Sequence, residues 1–426
     1  MLRILLLSDI HFIAMADEMD DYYDERTLFL QDLKDCHKAK GNFDHVFVCG
    51  DIAGHGKKDE YDKALTFFNQ ISSIINCPIE EFYVVPGNHD KDWSLESKNS
   101  NIMHSGLSNP TSNNQELFND LLREDFDALK TLYKPFKAYN DFAVEMNCIE
   151  PFMDKCLVDN GNEKYESETD KLYMKSFLHD IANYKVCLYG FNTAIISDGK
   201  EINDDSKGHK LFLPRLSYHA PVDSECINIC MMHHPLDRIV GGNEIAQYLD
   251  KKFPIQIYGH LHKADIKNDS SLHIMSGAFQ PPQDNSMGKS EYLPAYHILE
   301  IDVVKDKESD DKYLKVTVWV EQYNSGVFEH RSKSEESETY KIKLPKEIKR
   351  WTDGQMSKKN KILPEGITVR KIQYEFIQSP KAARIMKDFQ SFDDNKTLSQ
   401  NIIPFLNMIS KENRYAELWE KVQEYK

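Results

Sequence analysis

The stretch Ile4-Leu5-Leu6-Leu7-Ser8-Asp9-Ile10-His11 decides how this chain is read. An apolar run stops abruptly at Asp-x-His, so a buried strand hands over to side chains suited to holding a cation. The same handover recurs down the sequence. Apolar runs at 45–49, 82–85, 227–232 and 255–258 lead into Gly50-Asp51, Gly87-Asn88-His89-Asp90, His233-His234-Pro235 and Gly259-His260-Leu261-His262. Polar groups that begin where such strands end gather along one rim of a sheet, where α/β folds place their sites. In extended backbone, Asp-x-His and His-x-His would each aim both side chains the same way.

Between these runs the spacing turns helical. Residues 17–40 offer Leu28, Leu30, Leu33 and Cys36 as buried positions, and residues 60–75 offer Tyr61, Leu65, Phe68 and Ile71. The first ninety residues therefore read as a βαβαβ pattern. Residues 91–184 break the rhythm and read as an insertion covering the rim, with an amphipathic helix over 116–133. Beyond it come a strand at 186–189, a helix opening within 210–216, and runs at 273–276, 296–303, 315–320, 327–330 and 339–344. Asn324-Ser325-Gly326 marks a hairpin turn among them, so the second half reads as a more antiparallel sheet. The expected fold class is α/β: two packed mixed β-sheets flanked by helices, a four-layer α/β/β/α sandwich, plus a small C-terminal helical bundle. The expected domains are 1–345, a Lys-rich linker at 346–370, and 371–426. The last holds three helices: one starting at Ser379-Pro380, then 398–409 and 412–425.

The bulk numbers narrow the partners. A net charge of −16 over 426 residues argues against a broad basic surface that wraps nucleic acid. Eight cysteines form no CxxC pair and no disulfide-like framework. The first apolar run leads straight into Asp9, unlike a signal peptide, and no stretch approaches the roughly 20 apolar residues of a membrane helix. A cytoplasmic protein with no membrane partner is expected.

Hydrolysis of a phosphate ester needs a nucleophilic water, neutralised phosphoryl oxygens and a proton for the leaving alkoxide. Two metal ions about 3.5–4 Å apart supply the first two needs, provided one carboxylate bridges them. Asp9, His11, Asp51, Asn88, His233, His260 and His262 form a donor set of that type. Its imidazoles disfavour magnesium, which prefers oxygen and water.

The ordered series Asp9-x-His11, Gly50-Asp51, Gly87-Asn88-His89-Asp90, His233 and Gly259-His260-x-His262 resembles the calcineurin-like metallophosphoesterase superfamily, over roughly residues 1–330. The resemblance implies that Asp9, His11 and His262 hold one metal and Asn88, His233 and His260 a second, with Asp51 bridging. It also implies that His89 binds the phosphoryl oxygen or protonates the leaving group. The implied cofactors are two divalent or transition-metal ions, manganese foremost, with iron, zinc or nickel as the others. His234 stands beside His233 as the alternative ligand, and Asp90 reads as a loop-fixing carboxylate. His55 reads either as a substrate contact or as a solvated loop residue. His233-His234-Pro235 and Gly190-Phe191-Asn192-Thr193 look most like the class III cyclic-nucleotide phosphodiesterase branch, although Leu236 stands where many relatives carry a second proline.

The expectation is thus a metal-dependent phosphoric ester hydrolase that cleaves a phosphodiester, nucleotide-sized rather than polymeric, through a metal-activated water. The alternatives are a nuclease on DNA or RNA, and a phosphomonoesterase or protein phosphatase. The non-enzymatic alternative is a sensor or scaffold working through its C-terminal helices. The run Asn413-Arg414-Tyr415-Ala416-Glu417-Leu418-Trp419 resembles the effector-associated domains of bacterial conflict systems. That resemblance implies a protein partner for 371–426, such as the sensor ATPase of a defence system. Homo-oligomerisation is a further expectation.

Overall fold

The computed structural model describes residues 1–14, 22–109, 113–158, 165–198, 210–281, 292–306, 311–331, 338–345, 348, 350, 369–393, 398–412 and 414–425. Most of the expected linker lies outside the described residues, as do the basic run Lys358-Lys359-Asn360-Lys361, His209 and Asn413. The chain divides into two compact units, Met1–Lys349 and Arg350–Lys426.

The first unit holds two mixed sheets. The first is built on β1 (Leu2–Leu7), β2 (His45–Cys49) and β3 (Phe82–Val85), which run parallel and are buried throughout. The second contains β4 (Met174–Ile181), β5 (Tyr184–Phe191), β6 (Ile227–Met232), β7 (Ile255–Tyr258), β8 (Ala264–Asn268) and β9 (Leu272–Ser276), in the order β4-β5-β6-β7-β9-β8. Its β5, β6, β7 and β9 are parallel, and both edges are antiparallel. The two sheets meet face to face at β2, where Cys49 Sγ lies 3.1 Å from the Met232 carbonyl and 3.7 Å from that of Ile257.

The late strands do not build the second sheet, as the sequence pattern suggested. β10 (Ala295–Lys305) pairs antiparallel with β1, and β11 (Lys312–Asn324), β12 (Val327–His330) and β13 (Thr339–Lys343) extend that first sheet. Alternation within a strand reports which face is buried, not which sheet it joins. Strands β4 and β8 escaped the sequence reading because both are edges. Only part of each is buried, so neither shows the apolar run of a central strand.

Helices α1 (Tyr23–Lys40) and α2 (Lys58–Ile75) cover the first sheet. On α1 the buried stripe is Arg26, Phe29 and Leu33, while Leu28, Leu30 and Cys36 are half-buried. Phe29 takes the central place because its ring fits among Phe67, Phe279, Tyr296 and Phe328, at centroid distances of 4.8–6.2 Å. The start of α2 is fixed by Glu60, whose carboxylate accepts the Lys57 N–H at 3.0 Å and the His55 N–H at 2.9 Å.

Helices α3 (Lys98–Ser108), α4 (Asn114–Glu124), α5 (Phe126–Tyr133), α6 (Lys137–Glu145) and α7 (Pro151–Val158) occupy the stretch read as an insertion. The single helix expected over 116–133 is two. Asp125 ends α4 and caps α5, accepting the Ala128 N–H at 2.9 Å. The short α8 (Arg215–Tyr218) and α9 (Gly242–Leu249) complete the unit.

The second unit has its own core. Among its described residues, α10 (Val369–Ile377), α11 (Ala382–Asp388), α12 (Leu398–Glu412) and α13 (Tyr415–Glu424) bury Ile372, Phe376, Ile385, Met386, Phe405 and Leu418. Ser379 opens the turn before α11, where its carbonyl accepts the Ala382 N–H at 3.0 Å, so helix proper begins beyond Pro380.

Candidate metal centre

The strand ends bring every predicted ligand to one place. Asp9, Asp51, Asn88, His233 and His234 are buried, while His11, His89, His260 and His262 line the half-exposed side. Asp9, His11 and His262 offer ligand atoms within 4.8 Å of one another, as do His233, His234 and His260. Asp51 belongs with His11 and His89 and also with Asp9 and His233. It therefore lies between the two groups.

Extended backbone is not what achieves this. Asp9, His11, Asp51, His260 and His262 all adopt left-handed φ, between 51° and 67°. Non-glycine residues visit that region rarely and at a cost, and such strain collects at functional sites. Hydrogen bonds between loops hold it in place. The Asp9 N–H donates to the Gly50 carbonyl at 3.0 Å, and the His11 N–H to that of Asp51 at 3.0 Å. The Gln280 N–H donates to the Asp9 carbonyl at 3.0 Å, and the His260 N–H to Asp9 Oδ2 at 3.2 Å. Two glycines let the loops approach this closely. A Cβ on Gly87 would stand 2.1 Å from Asp51 Oδ1, and one on Gly259 would stand 2.3 Å from Ser8 Oγ.

Asp90 ties the third loop to the second. Its carboxylate accepts N–H groups from Gly87 at 2.8 Å and Ala53 at 3.0 Å, and the Tyr61 hydroxyl at 2.9 Å. Burial, with Asp51 nearby, pushes its acidity to about 6. His55 turns away to Glu60, with Nδ1 at 2.9 Å from Oε1.

Nitrogen by nitrogen, the imidazoles are aimed. His233 Nδ1 donates to the Cys49 carbonyl at 2.8 Å, which leaves Nε2 facing Asp51 Oδ2 at 3.3 Å. His262 Nε2 lies 3.4 Å from Asp9 Oδ1, and His11 Nε2 lies 3.9 Å from Asp51 Oδ2. The 3.3 and 3.4 Å gaps are long for charged hydrogen bonds but match two ligands on one ion, which stand roughly 3–3.6 Å apart. Asp9 Oδ1 and His233 Nε2 are buried with no hydrogen-bond partner among the described residues. Such orphaned atoms are costly unless something else satisfies them. The donor set thus fits divalent cations, with oxygen and imidazole nitrogen on both sides.

His234 joins His233 and His260 in the second group. Its Nε2 faces Asn88 Oδ1 at 3.1 Å, and its Nδ1 lies 2.9 Å from the Thr193 hydroxyl. Thr193 also accepts the His234 N–H at 3.0 Å and so orients the ring. The motif Gly190-Phe191-Asn192-Thr193 carried this signal as a pattern, but its contact with His234 spans elements no local spacing relates.

The electrostatics are those of paired anions balanced by imidazoles. Burial alone would raise Asp9, but the charges of His233 and His262 outweigh it and hold its carboxyl at about 2. Burial would likewise raise Asp51, yet His233 and His89 hold it well below the usual carboxylate range. His233 is pulled up to about 9, against its burial, by Asp51 and Asp9. His260 is pushed down to about 3 by burial and by His233, and His11 to about 4 by burial and by His89.

A second histidine–carboxylate cluster lies at the opposite ends of the strands, where His45, Glu81 and His179 gather. Here His45 Nε2 accepts the His179 backbone N–H at 3.1 Å, so the ring proton sits on Nδ1, 2.9 Å from Glu81 Oε2. Neither nitrogen of His45 keeps a free lone pair for an ion.

The profile of the calcineurin-like phosphoesterase family matches residues 2–264. Solved structures similar to this chain include Vps29 (D62A mutant) from Entamoeba histolytica, 11% identical with a TM-score of 0.31, covering 81% of this chain and 100% of that one. Another is a putative 5'-nucleotidase from Staphylococcus aureus in complex with alpha-ketoglutarate, 12% identical with a TM-score of 0.34, covering 88% of this chain and 58% of that one. No curated protein matches the sequence.

Proposed function

The chain belongs to the calcineurin-like phosphoesterase family, and on that premise we propose that it hydrolyses a phosphodiester of nucleotide size at a dinuclear metal centre. The observation that carries this reading is the position of Asp51 between two groups of imidazole and oxygen donors. In this reading Asp9, His11 and His262 hold one ion, and Asn88, His260 and His233, joined or replaced by His234, hold the other. Bound ions, manganese foremost, would supply charge neutralisation at the phosphoryl oxygens and acidify the attacking water.

The protein's own groups do the rest. Asp51 Oδ1 accepts the His89 N–H at 2.8 Å, which locks the third loop against the bridging carboxylate. His89 Nδ1 lies 2.9 Å from the Gly54 carbonyl, which can only accept, so Nδ1 carries the proton. Nε2 is then the nitrogen that meets the substrate, and in the doubly protonated imidazolium its N–H holds a phosphoryl oxygen or passes its proton to the leaving alkoxide. The acidic surface and the resemblance to the class III branch favour a nucleotide-sized diester over a polymer.

The test is turnover of bis-p-nitrophenyl phosphate by the manganese-loaded protein. Asp51→Asn keeps the fold, by circular dichroism and melting, but lowers the rate by about a thousandfold or more, a scale set by the loss of both ions' shared anchor. Full activity in the variant would refute the bridging role.

For the helical unit we keep the interaction reading: residues 371–426 dock a protein partner such as a sensor ATPase. Its separate apolar core supports an independent module. All eight cysteines are free, which supports a reducing, cytoplasmic setting, and no helix among the described residues is long and apolar enough to cross a membrane.

A further inference from the structure

Beside His89 stands an aromatic side chain that the chemistry above does not use. Trp93 lies in the same loop, its ring centroid 5.4 Å from that of His89. His89 in turn sits 4.6 Å from His11, edge to face. The tryptophan therefore stands one ring beyond the imidazole that serves the leaving group.

Its position is fixed from several sides. The Asp92 carboxylate accepts the Ser94 N–H at 3.0 Å and pairs with Lys57 Nζ at 2.6 Å. The Asp92 N–H donates to the Pro135 carbonyl at 2.8 Å, which anchors this turn to the helical insertion. Trp93 itself is half-buried, while its indole N–H is buried and meets no acceptor among the described residues. What remains accessible of the side chain is carbon. The accessible part of a rigid, flat ring thus lies beside His89.

We propose that Trp93 stacks the planar base of a nucleoside on the leaving-group side, making the substrate class nucleoside phosphoesters rather than sugar or alkyl phosphates. The inference rests on the hydrolase reading above for the orientation of the substrate. Stacking on an aromatic ring tolerates any base. The site should therefore distinguish nucleoside from bare sugar strongly, and one base from another weakly. Tyr292, its ring 6.1 Å from that of His262, marks the far flank of the same histidine row and serves as the comparison.

The test is calorimetric titration of the manganese-loaded full chain with adenosine 5'-monophosphate and with ribose 5-phosphate. Wild type should bind the nucleotide about tenfold more tightly, within the range that base–aromatic stacking supplies. Trp93→Ala should bring the two affinities to within about twofold by removing that stack, and Trp93→Phe should keep most of the gap. Circular dichroism checks that each variant is folded. A gap that persists in folded Trp93→Ala, a gap lost in Tyr292→Ala instead, or no gap in wild type would overturn the assignment. Because the readout is binding, a protein that shows the gap yet hydrolyses no phosphoester would sink the hydrolase reading alone.

Discussion

Two clusters of histidine and carboxylate sit at opposite ends of the same strands, and they are built on different principles. At the rim, five of the converging residues hold left-handed backbone, and the unpartnered buried atoms among the described residues include an acceptor, Asp9 Oδ1. At the far end, His45 lies in regular strand, with one nitrogen taken by a backbone N–H and the other against Glu81. Composition alone would treat the two as equals. The difference lies in spent and unspent lone pairs. Backbone strain gathered on five residues around buried acceptor atoms marks the rim, not the far end, as the place where an ion would be compensated.

That contrast can be broken by experiment, and His89 offers the largest effect. Replacing it with Gln should leave metal content intact while lowering kcat by about 10²–10⁴-fold, the usual contribution of a positioned acid or base. The loss should be greater for an alkoxide leaving group than for p-nitrophenolate, which needs no proton. Equal losses on both would place His89 at the phosphoryl oxygen instead.

His45→Ala should behave in the opposite way. Metal stoichiometry, read by plasma emission spectroscopy, and turnover should match wild type. Stability in urea should fall by about 1–3 kcal/mol, because the buried Glu81 carboxylate loses the imidazole N–H beside it. A drop in metal content would mean that the far cluster binds an ion after all.

The smallest effect is a pH dependence. The Asp44 carboxylate, 3.6 Å from its Nδ1, raises His179 above its ordinary 6.5, against its partial burial. A group whose basicity is raised on folding stabilises the protein fully below its unfolded value and loses that contribution as pH climbs through the folded value. His179→Gln should therefore cost stability at pH 5–6 and progressively less above 6.5, read as melting temperature against pH. A difference that grew with pH instead would contradict the Asp44 contact.

The rim and the far cluster also differ in how they can be read. Each rim loop follows a buried apolar run and opens on a motif, so Asp9, Asp51, Asn88 and His260 were legible from local sequence. The far cluster has no motif. His45 begins a strand, Glu81 precedes another, and His179 lies on β4, an edge whose weak alternation hid it. Trp93 carried no periodic signal either. It matters only because the Asp90 and Asp92 contacts bring its loop back beside His89.

The primary structure by itself determined the central parallel strands, the candidate ligands at their ends and the C-terminal helices, because burial on both faces and those residue types are written locally. Tertiary structure decided the rest. It sent the late antiparallel strands to the first sheet, split one expected helix at Asp125, and set His234 between Asn88 and Thr193. It also replaced extended Asp-x-His and His-x-His segments with left-handed turns. Each of these depends on partners distant in the chain, and pairing energy between distant segments leaves no trace in either one alone.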